Sequence, residues 1–162
     1  MLSKEVTEVS LLYSQNDVVA HQKTLGWPEL KDTKGIRDLS VAGEPHHQTA
    51  EMIYTRRLHI GRCGLFRGKH QQGVIISFDP SQLPYLGVWL CFGGWPVTGP
   101  EPKQVALGLE PTTAPCNTLS DAEQAGLAAY LAPELALAWN IKVDLINRGV
   151  SYENFCARVW QG

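Results

Sequence analysis

The sequence predicts an all-β protein, an antiparallel β-sandwich. Short apolar runs recur at fairly even spacing and are separated by turns rich in glycine and proline. Helix signals are scarce: the clearest is the capping-box pattern that begins at Ser120, and Gly126 weakens the helix that would follow it. The length of 162 residues favours one domain, residues 1–162, with a sizeable core.

Six segments have the length and alternation of strands. They are Glu51–Ile60, Gly61–Phe66, Gly73–Phe78, Leu86–Phe92, Gln104–Glu110 and Leu135–Leu145. Pro111 has no N–H for a sheet ladder, so we expect it to end the fifth segment. The sixth alternates most cleanly, and its apolar residues are expected to face the core. The tail, residues 151–162, is expected to dock through a helical turn that carries Phe155, Val159 and Trp160.

The fourth and fifth segments each have one apolar face and one face of small residues that carries a single large functional group. Because strand side chains alternate between faces, that group is Trp89 in the fourth segment and Glu110 in the fifth. An indole and a carboxylate above small residues make a shallow hollow that suits a sugar ring. The alternatives are a tryptophan buried in the core and a solvated glutamate at a strand end.

Charge and cysteine spacing exclude several classes of function. The net charge is −2 and no basic stripe occurs, so we expect neither nucleic acid nor an anionic membrane surface as a partner. The four cysteines are at least 25 residues apart, which is not the spacing of a metal site. We expect no metal and no cofactor.

The stretch from Pro80 to Pro100 is uncharged and long enough to suggest a membrane span. Its prolines and glycines exclude one continuous spanning helix. The first residues carry charges at Lys4, Glu5 and Glu8 and lack a long apolar core, so they do not predict a secretory signal. We therefore expect a cytoplasmic protein with reduced thiols.

The loop Val41–Gln48 contains two adjacent histidines, His46 and His47. In an extended chain they would point to opposite sides, so they do not suit one metal ion. Loops often carry functional residues, so two interpretations stay open: a solvated loop, and a contribution of His46 and His47 to substrate binding.

Three segments in this order resemble the closing strands of the aldose 1-epimerase (galactose mutarotase-like) family: LPYLGVWLCFGGWP, VALGLEPTTAPCNTLSDAEQAG and LAPELALAWNIKVDL. The resemblance runs from about Leu25 to Leu145. It implies part of a β-supersandwich and a reaction that interconverts the α and β anomers of an aldose by acid–base catalysis without a cofactor. It also implies that Glu110, in LGLEP, is the base and that Trp89, in LGVWL, contacts the sugar.

This sequence departs from the family pattern in two ways. First, family enzymes are about twice as long as this chain, whose length is close to that of an ordinary domain, ~150 residues. Second, the acid histidine of the family comes from the earlier half of those longer chains. No histidine of this chain matches that position, and Glu134 stands where the family favours glycine.

Three hypotheses follow. The first is an epimerase-like enzyme that acts on a hexose, with Glu110 as base and His46 or His47 in place of the acid. The second is a non-catalytic carbohydrate-binding module that uses Trp89, Trp95 and Glu110. The third is a truncated remnant of a mutarotase. In each case an uncovered apolar sheet face would favour a homo-oligomer.

Overall fold

A computed structural model describes residues 1–15, 24–32 and 35–161. Within these ranges the chain is predominantly β, and all strand pairings inside the sheets are antiparallel. The predicted all-β, antiparallel fold is confirmed. No helix in the described ranges combines the length and the apolar character needed to cross a membrane.

The described strands, in chain order, are β1 (Glu8–Ser14), β2 (Thr24–Gly26), β3 (Glu29–Asp32), β4 (Gly35–Asp38), β5 (Thr49–Thr55), β6 (Arg62–Arg67), β7 (Gln72–Phe78), β8 (Tyr85–Phe92), β9 (Val105–Thr112) and β10 (Ile141–Ile146). Among the described residues the helices are α1 (Leu119–Gln124) and α2 (Tyr152–Trp160), with short 3-10 helices at Pro45–His47 and Gly68–His70. β6, β7 and β8 lie within one residue of their predicted bounds, whereas β5 ends well before Ile60.

The strands form a five-stranded sheet in the order β2-β1-β5-β8-β9, a three-stranded sheet in the order β10-β7-β6, and the hairpin β3-β4. The main core lies against one face of the five-stranded sheet and takes residues from both larger sheets. Its members include Val9, Leu11, Leu25, Ile53, Cys63, Phe78, Leu86, Val88, Leu90 and Phe92. The arrangement is therefore sandwich-like, and the other face of the five-stranded sheet is left for solvent or a ligand.

The strand β9 continues through Pro111, so the prediction that it ends there is wrong. Pro111 lies opposite Leu86 of β8. The reason is position: β9 is an edge strand, and an edge tolerates a residue without an N–H because one side of the strand has no ladder to complete.

The last strand is shorter than predicted, and its apolar row does not face a core. β10 begins at Ile141, and residues 135–140 lie outside any strand. The exposed fraction is 44% at Ile141, 55% at Val143 and 77% at Leu145. The core-facing prediction is therefore wrong: β10 lies at a sheet edge, and its alternation marks an apolar face that stays exposed in the described structure.

Helix α2 covers the outer face of the three-stranded sheet, so the predicted docking of the tail is confirmed. Phe155 and Val159 are fully buried there beside Ile75. Trp160 is 42% exposed, and its indole N–H donates to the carbonyl of Leu2 at 3.3 Å. Two glycines make room for the ring: a Cβ atom on Gly73 would lie 2.4 Å from the Phe155 ring, and one on Gly64 would lie 2.8 Å from it. Helix α1 is also present, but its N-cap is Thr118, which accepts a hydrogen bond from the Asp121 amide, rather than Ser120.

The Cys63 thiol lies in the core between the sheets and is fully buried. Burial raises its pKa from the ordinary 9.0 to about 12, because the thiolate would lose its hydration. The neutral thiol therefore contributes stability that is complete below about pH 9 and is lost as the pH rises toward 12.

We expect Cys63→Ala to flatten this alkaline dependence. Between pH 9 and 11 the free energy of unfolding of the wild type should fall more steeply than that of the variant, by about 1 kcal/mol per pH unit. Urea unfolding at several pH values measures this difference. Cys116→Ala, which alters a partly exposed thiol, is the control. Parallel curves for the wild type and Cys63→Ala would contradict the assignment.

Candidate functional site

The candidate site is an open hollow on the face of the five-stranded sheet that points away from the core. Its volume is about 340 Å³, within the usual size range of small-molecule sites. The lining residues are Tyr13, Met52, Tyr54, Trp89, Trp95, Glu110 and Asn117. The structure thus brings together three residues predicted from the sequence, Trp89, Trp95 and Glu110.

The strand register explains why Trp89 and Glu110 meet. Trp89 of β8 lies opposite Gly108 of β9, and Glu110 lies opposite Gly87 of β8. The two side chains therefore occupy diagonal positions on one face, a spacing that long side chains can bridge. On the other side of β8, Trp89 lies opposite Met52 of β5. This arrangement places the indole between Met52 and the strand that carries the carboxylate.

Tyr54 and Tyr13 enter the hollow from β5 and β1. Tyr54 lies opposite Gly87, in the same row as Glu110. Tyr13 lies opposite Met52, because the pairing of β1 with β5 shifts register between Leu11 and Tyr13. This irregularity moves the end of β1 by one residue relative to β5, so that Tyr13 points to the face of the hollow.

Gly87 and Gly108 form the floor of the hollow, and the side chains around them leave no room for a larger residue at either position. A Cβ atom on Gly108 would lie 2.8 Å from Oε1 of Glu110 and 3.4 Å from Cβ of Trp89. A Cβ atom on Gly87 would lie 2.8 Å from Cε of Met52 and 2.9 Å from the Tyr54 ring. The Glu110 carboxylate therefore folds back over Gly108, toward Trp89, in space that a larger residue would fill.

Three aromatic rings form one wall of the hollow. The centroid of the Tyr13 ring is 5.8 Å from that of Trp89 and 5.9 Å from that of Trp95. The two indoles are 6.2 Å apart and nearly perpendicular, at 84°. These are ordinary edge-to-face distances. Trp95 is 40% exposed, so the wall presents aromatic surface to solvent.

Backbone contacts hold Trp95 in place although it lies outside the strands. The amide of Gln104 donates to the carbonyl of Trp95 (2.7 Å), and the amide of Gly94 donates to the carbonyl of Thr49 (3.2 Å). The side-chain amide of Gln15, oriented with its nitrogen toward the loop, donates to the carbonyl of Gly94 at 2.8 Å. The loop after β8 is thereby fixed to β5 and to the end of β1.

The phenols of the hollow keep their protons at neutral pH. Tyr54 is buried, and burial raises the pKa of its phenol; the nearby Glu110 carboxylate raises it further, because a phenolate would be repelled. The hydroxyl of Tyr54 donates to the carbonyl of Cys116 at 3.1 Å. Burial also raises the pKa of Tyr13. The hollow thus combines one carboxylate, an acceptor, with two protonated phenols.

The structure does not bring His46 and His47 to this hollow. Both lie in the 3-10 helix Pro45–His47, with ring centroids 4.6 Å apart, rather than in an extended segment. His47 lines a separate cavity of about 330 Å³ beside Glu51 and Leu90, on the opposite face of the five-stranded sheet. The substrate-binding role predicted for these two histidines therefore has no support at the hollow. His21 lies outside the described residues.

Sequence reasoning missed Tyr13, Met52, Tyr54 and Asn117. A signal existed for two of them, because Met52 and Tyr54 alternate on one face of β5 as Gly87 and Trp89 do on β8. That signal required knowledge that β5 and β8 are neighbours. Asn117 comes from the loop before α1, and its side-chain amide approaches the carbonyl of Leu12 at 3.5 Å.

The described residues place no group of three or more His, Cys, Asp or Glu side chains where they could hold a metal ion. The hollow presents one carboxylate, two phenols, one side-chain amide and aromatic surface. This set can bind a small polar molecule that also has an apolar face.

The fold and the hollow define an antiparallel β-sheet protein with an open, aromatic-lined site that holds one carboxylate. The chain belongs to the family described as a domain of unknown function (DUF4432), which matches residues 9–145. That match runs from β1 to β10 and includes every residue that lines the hollow. No curated protein and no solved structure matches the chain.

Proposed function

We propose that the protein binds an aldose in the hollow and interconverts its α and β anomers, with Glu110 as the general base. One observation supports this most strongly: a carboxylate and two indoles share a hollow of about 340 Å³. A pyranose has an apolar C–H face and a rim of hydroxyls. It therefore needs both aromatic surface and a strong hydrogen-bond acceptor from its site.

Binding uses the two parts of the hollow separately. One indole of the pair Trp89 and Trp95 stacks on the C–H face of the sugar, and the other, nearly perpendicular to it, contacts the edge of the sugar ring. Part of this aromatic surface is otherwise exposed to water. The Glu110 carboxylate accepts hydrogen bonds from sugar hydroxyls, and a charged acceptor makes such bonds stronger than neutral ones. The Asn117 amide supplies a further donor and acceptor at the rim.

The reaction needs a base and an acid on one sugar ring. Glu110 takes the proton from the anomeric hydroxyl while a donor protonates the ring oxygen, so that the bond between C1 and that oxygen breaks. C1 then rotates, and the ring closes with the opposite configuration as both protons return. Tyr54 is the candidate donor because it lies in the same cross-strand row as Glu110. Its hydroxyl donates to the carbonyl of Cys116 at 3.1 Å and would have to turn toward the ring oxygen of a bound sugar.

A second candidate function is sugar binding without turnover. One observation favours it: among the described residues that line the hollow there is no histidine, whereas the resemblance implies an imidazolium acid. The two candidates share the binding site and differ only in catalysis, so a single experiment separates them.

The test is the rate of anomer exchange for a panel of aldoses, followed by polarimetry from a freshly dissolved pure anomer. Saturation-transfer NMR on the same samples reports binding independently. Faster exchange together with binding supports the enzyme, and binding alone supports the second candidate. Choline is the control ligand, because aromatic sites that hold a carboxylate also bind quaternary ammonium ions. Binding of choline and of none of the sugars would contradict both.

We expect Trp95→Ala to weaken sugar binding about three- to tenfold, because one aromatic surface is lost. The folded state should tolerate this change, since Trp95 is 40% exposed and its loop is held by backbone contacts. Trp139→Ala is the matched control, because Trp139 is 52% exposed and lies outside the hollow. NMR titration measures both affinities, and equal loss in the two variants would count against the aromatic wall.

We also propose a cytoplasmic location. It is supported by the four cysteines, all of which are free thiols rather than disulfides, as is usual in a reducing compartment.

A further inference from the structure

Within the described residues, three of the four edges of the two larger sheets are protected against pairing. β2 has only three residues, and β9 carries Pro111; both are common ways of blunting an edge. The edge of β6 is covered by the start of the chain, where Leu2 bridges to Cys63 and the amino group of Met1 donates to the carbonyl of Gly64 at 2.9 Å. These edges are therefore poor templates for another strand.

The fourth edge, β10, lacks each of these protections in the described structure. Its six residues pair with β7 in regular register, without a bulge and without proline. The apolar side chains Ile141, Val143 and Leu145 are 44–77% exposed. An edge strand that is regular and apolar is a template for pairing with a further strand.

The charges on β10 are arranged symmetrically about Val143. Lys142 and Asp144 stand on either side of Val143, and their charged atoms are 2.9 Å apart. A lysine on an edge usually discourages pairing. Here its charge is matched by an acidic residue two positions further on, so the strand is complementary to itself when its direction is reversed.

We propose that β10 pairs antiparallel with β10 of a second copy of this chain, across a two-fold axis that passes through Val143. This register places Lys142 opposite Asp144 of the second copy, and the same pair occurs again on the other side of the axis. It also places Ile141 opposite Leu145 of the second copy. A two-fold interface of this kind is self-complementary by construction.

The neighbouring registers lack this complementarity. Opposed side chains in an antiparallel pair point to the same face, so the axis must pass through a residue. An axis through Lys142 would set that lysine against itself, and an axis through Asp144 would set two carboxylates together. Like charges directly opposite each other destabilise a sheet. The register centred on Val143 therefore has the best match of charge and of apolar side chains.

The test uses two variants, Lys142→Asp and Asp144→Lys, measured singly and as a mixture by sedimentation equilibrium over a concentration series. Each variant alone would oppose like charges at both pairs, so its dimer should be at least about tenfold weaker than that of the wild type. In the mixture each acidic pair of one variant meets the basic pair of the other, so a dimer should form again. Both variants lose the ion pair within the chain, so recovery in the mixture cannot come from that pair.

A second measurement fixes the register. Val143→Cys should form a disulfide with itself in the dimer under mild oxidation, whereas Ile141→Cys should not, because position 141 faces position 145 of the second copy. A wild type that stays monomeric would overturn the proposal, as would a mixture no more dimeric than its parts. Cross-linking at both positions alike would overturn the register.

Discussion

Glu110→Gln is expected to slow anomer exchange about 100- to 10,000-fold while the protein still binds the sugar. The substitution keeps the shape of the side chain and removes its basicity. Glu110 is exposed in the hollow and folds over Gly108, so the amide can occupy the same space. Catalysis requires a group that accepts a proton, whereas binding requires mainly hydrogen bonds and aromatic contacts. The rate should therefore fall much further than the affinity.

The control for this variant is Glu153→Gln, which alters an exposed glutamate in the first turn of α2. That helix packs on the three-stranded sheet, whereas the hollow lies on the five-stranded sheet. It should exchange anomers at the wild-type rate. Two-dimensional exchange NMR measures the rate at saturating sugar, and a titration gives the affinity. If Glu110→Gln retains the full exchange rate, Glu110 is not the base.

Phe155→Ala is expected to lower the free energy of unfolding by about 3–5 kcal/mol, the usual cost of removing a fully buried aromatic side chain. The ring fills the space that Gly64 and Gly73 leave on the outer face of the three-stranded sheet. Without the ring, α2 would retain Val159 as its main buried contact on that sheet. Helix and sheet would then be separated by a cavity that neither glycine can fill.

Tyr152→Ala is the matched control on the same helix, because Tyr152 is 52% exposed although its ring lies 5.6 Å from that of Phe66. It should cost about 1 kcal/mol or less. Urea unfolding followed by circular dichroism compares the two variants. Equal midpoints for Phe155→Ala and the wild type would mean that α2 does not close this face of the sheet.

The central part of the site could be predicted because it depends on local rules. Strand alternation fixes the face of Trp89 on β8 and of Glu110 on β9, and consecutive antiparallel strands are usually neighbours. These two rules place an indole and a carboxylate on one surface without any knowledge of the rest of the fold. The contact of Trp95 with both Trp89 and Tyr13, in contrast, depends on backbone contacts of its loop with β5.

The rest of the site depends on contacts between distant parts of the chain. Tyr13 reaches the hollow only because β1 lies beside β5 and because the register shifts after Leu11. Neither feature leaves a local signal. From the sequence, His47 is expected near the site, because its loop is close to β5 in the chain. The 3-10 helix directs its side chain to the other face of the sheet instead.

The apolar row of β10 shows what alternation can and cannot predict. Alternation identifies two faces of different polarity, and the residues of β10 do have such faces. It does not identify what covers the apolar face. Val143 and Leu145 therefore lie on one face, as predicted, but not in a core, because nothing in the described structure covers that face of β10.

The most direct measurement follows the indole N–H signals of the five tryptophans during titration with an aldose. Each signal is assigned by single substitution. If the sugar occupies the hollow, the signals of Trp89 and Trp95 should shift together and saturate with one affinity, while that of Trp139 stays in place. A titration in which neither hollow signal moves, or in which Trp139 moves instead, would contradict a sugar site between these two strands.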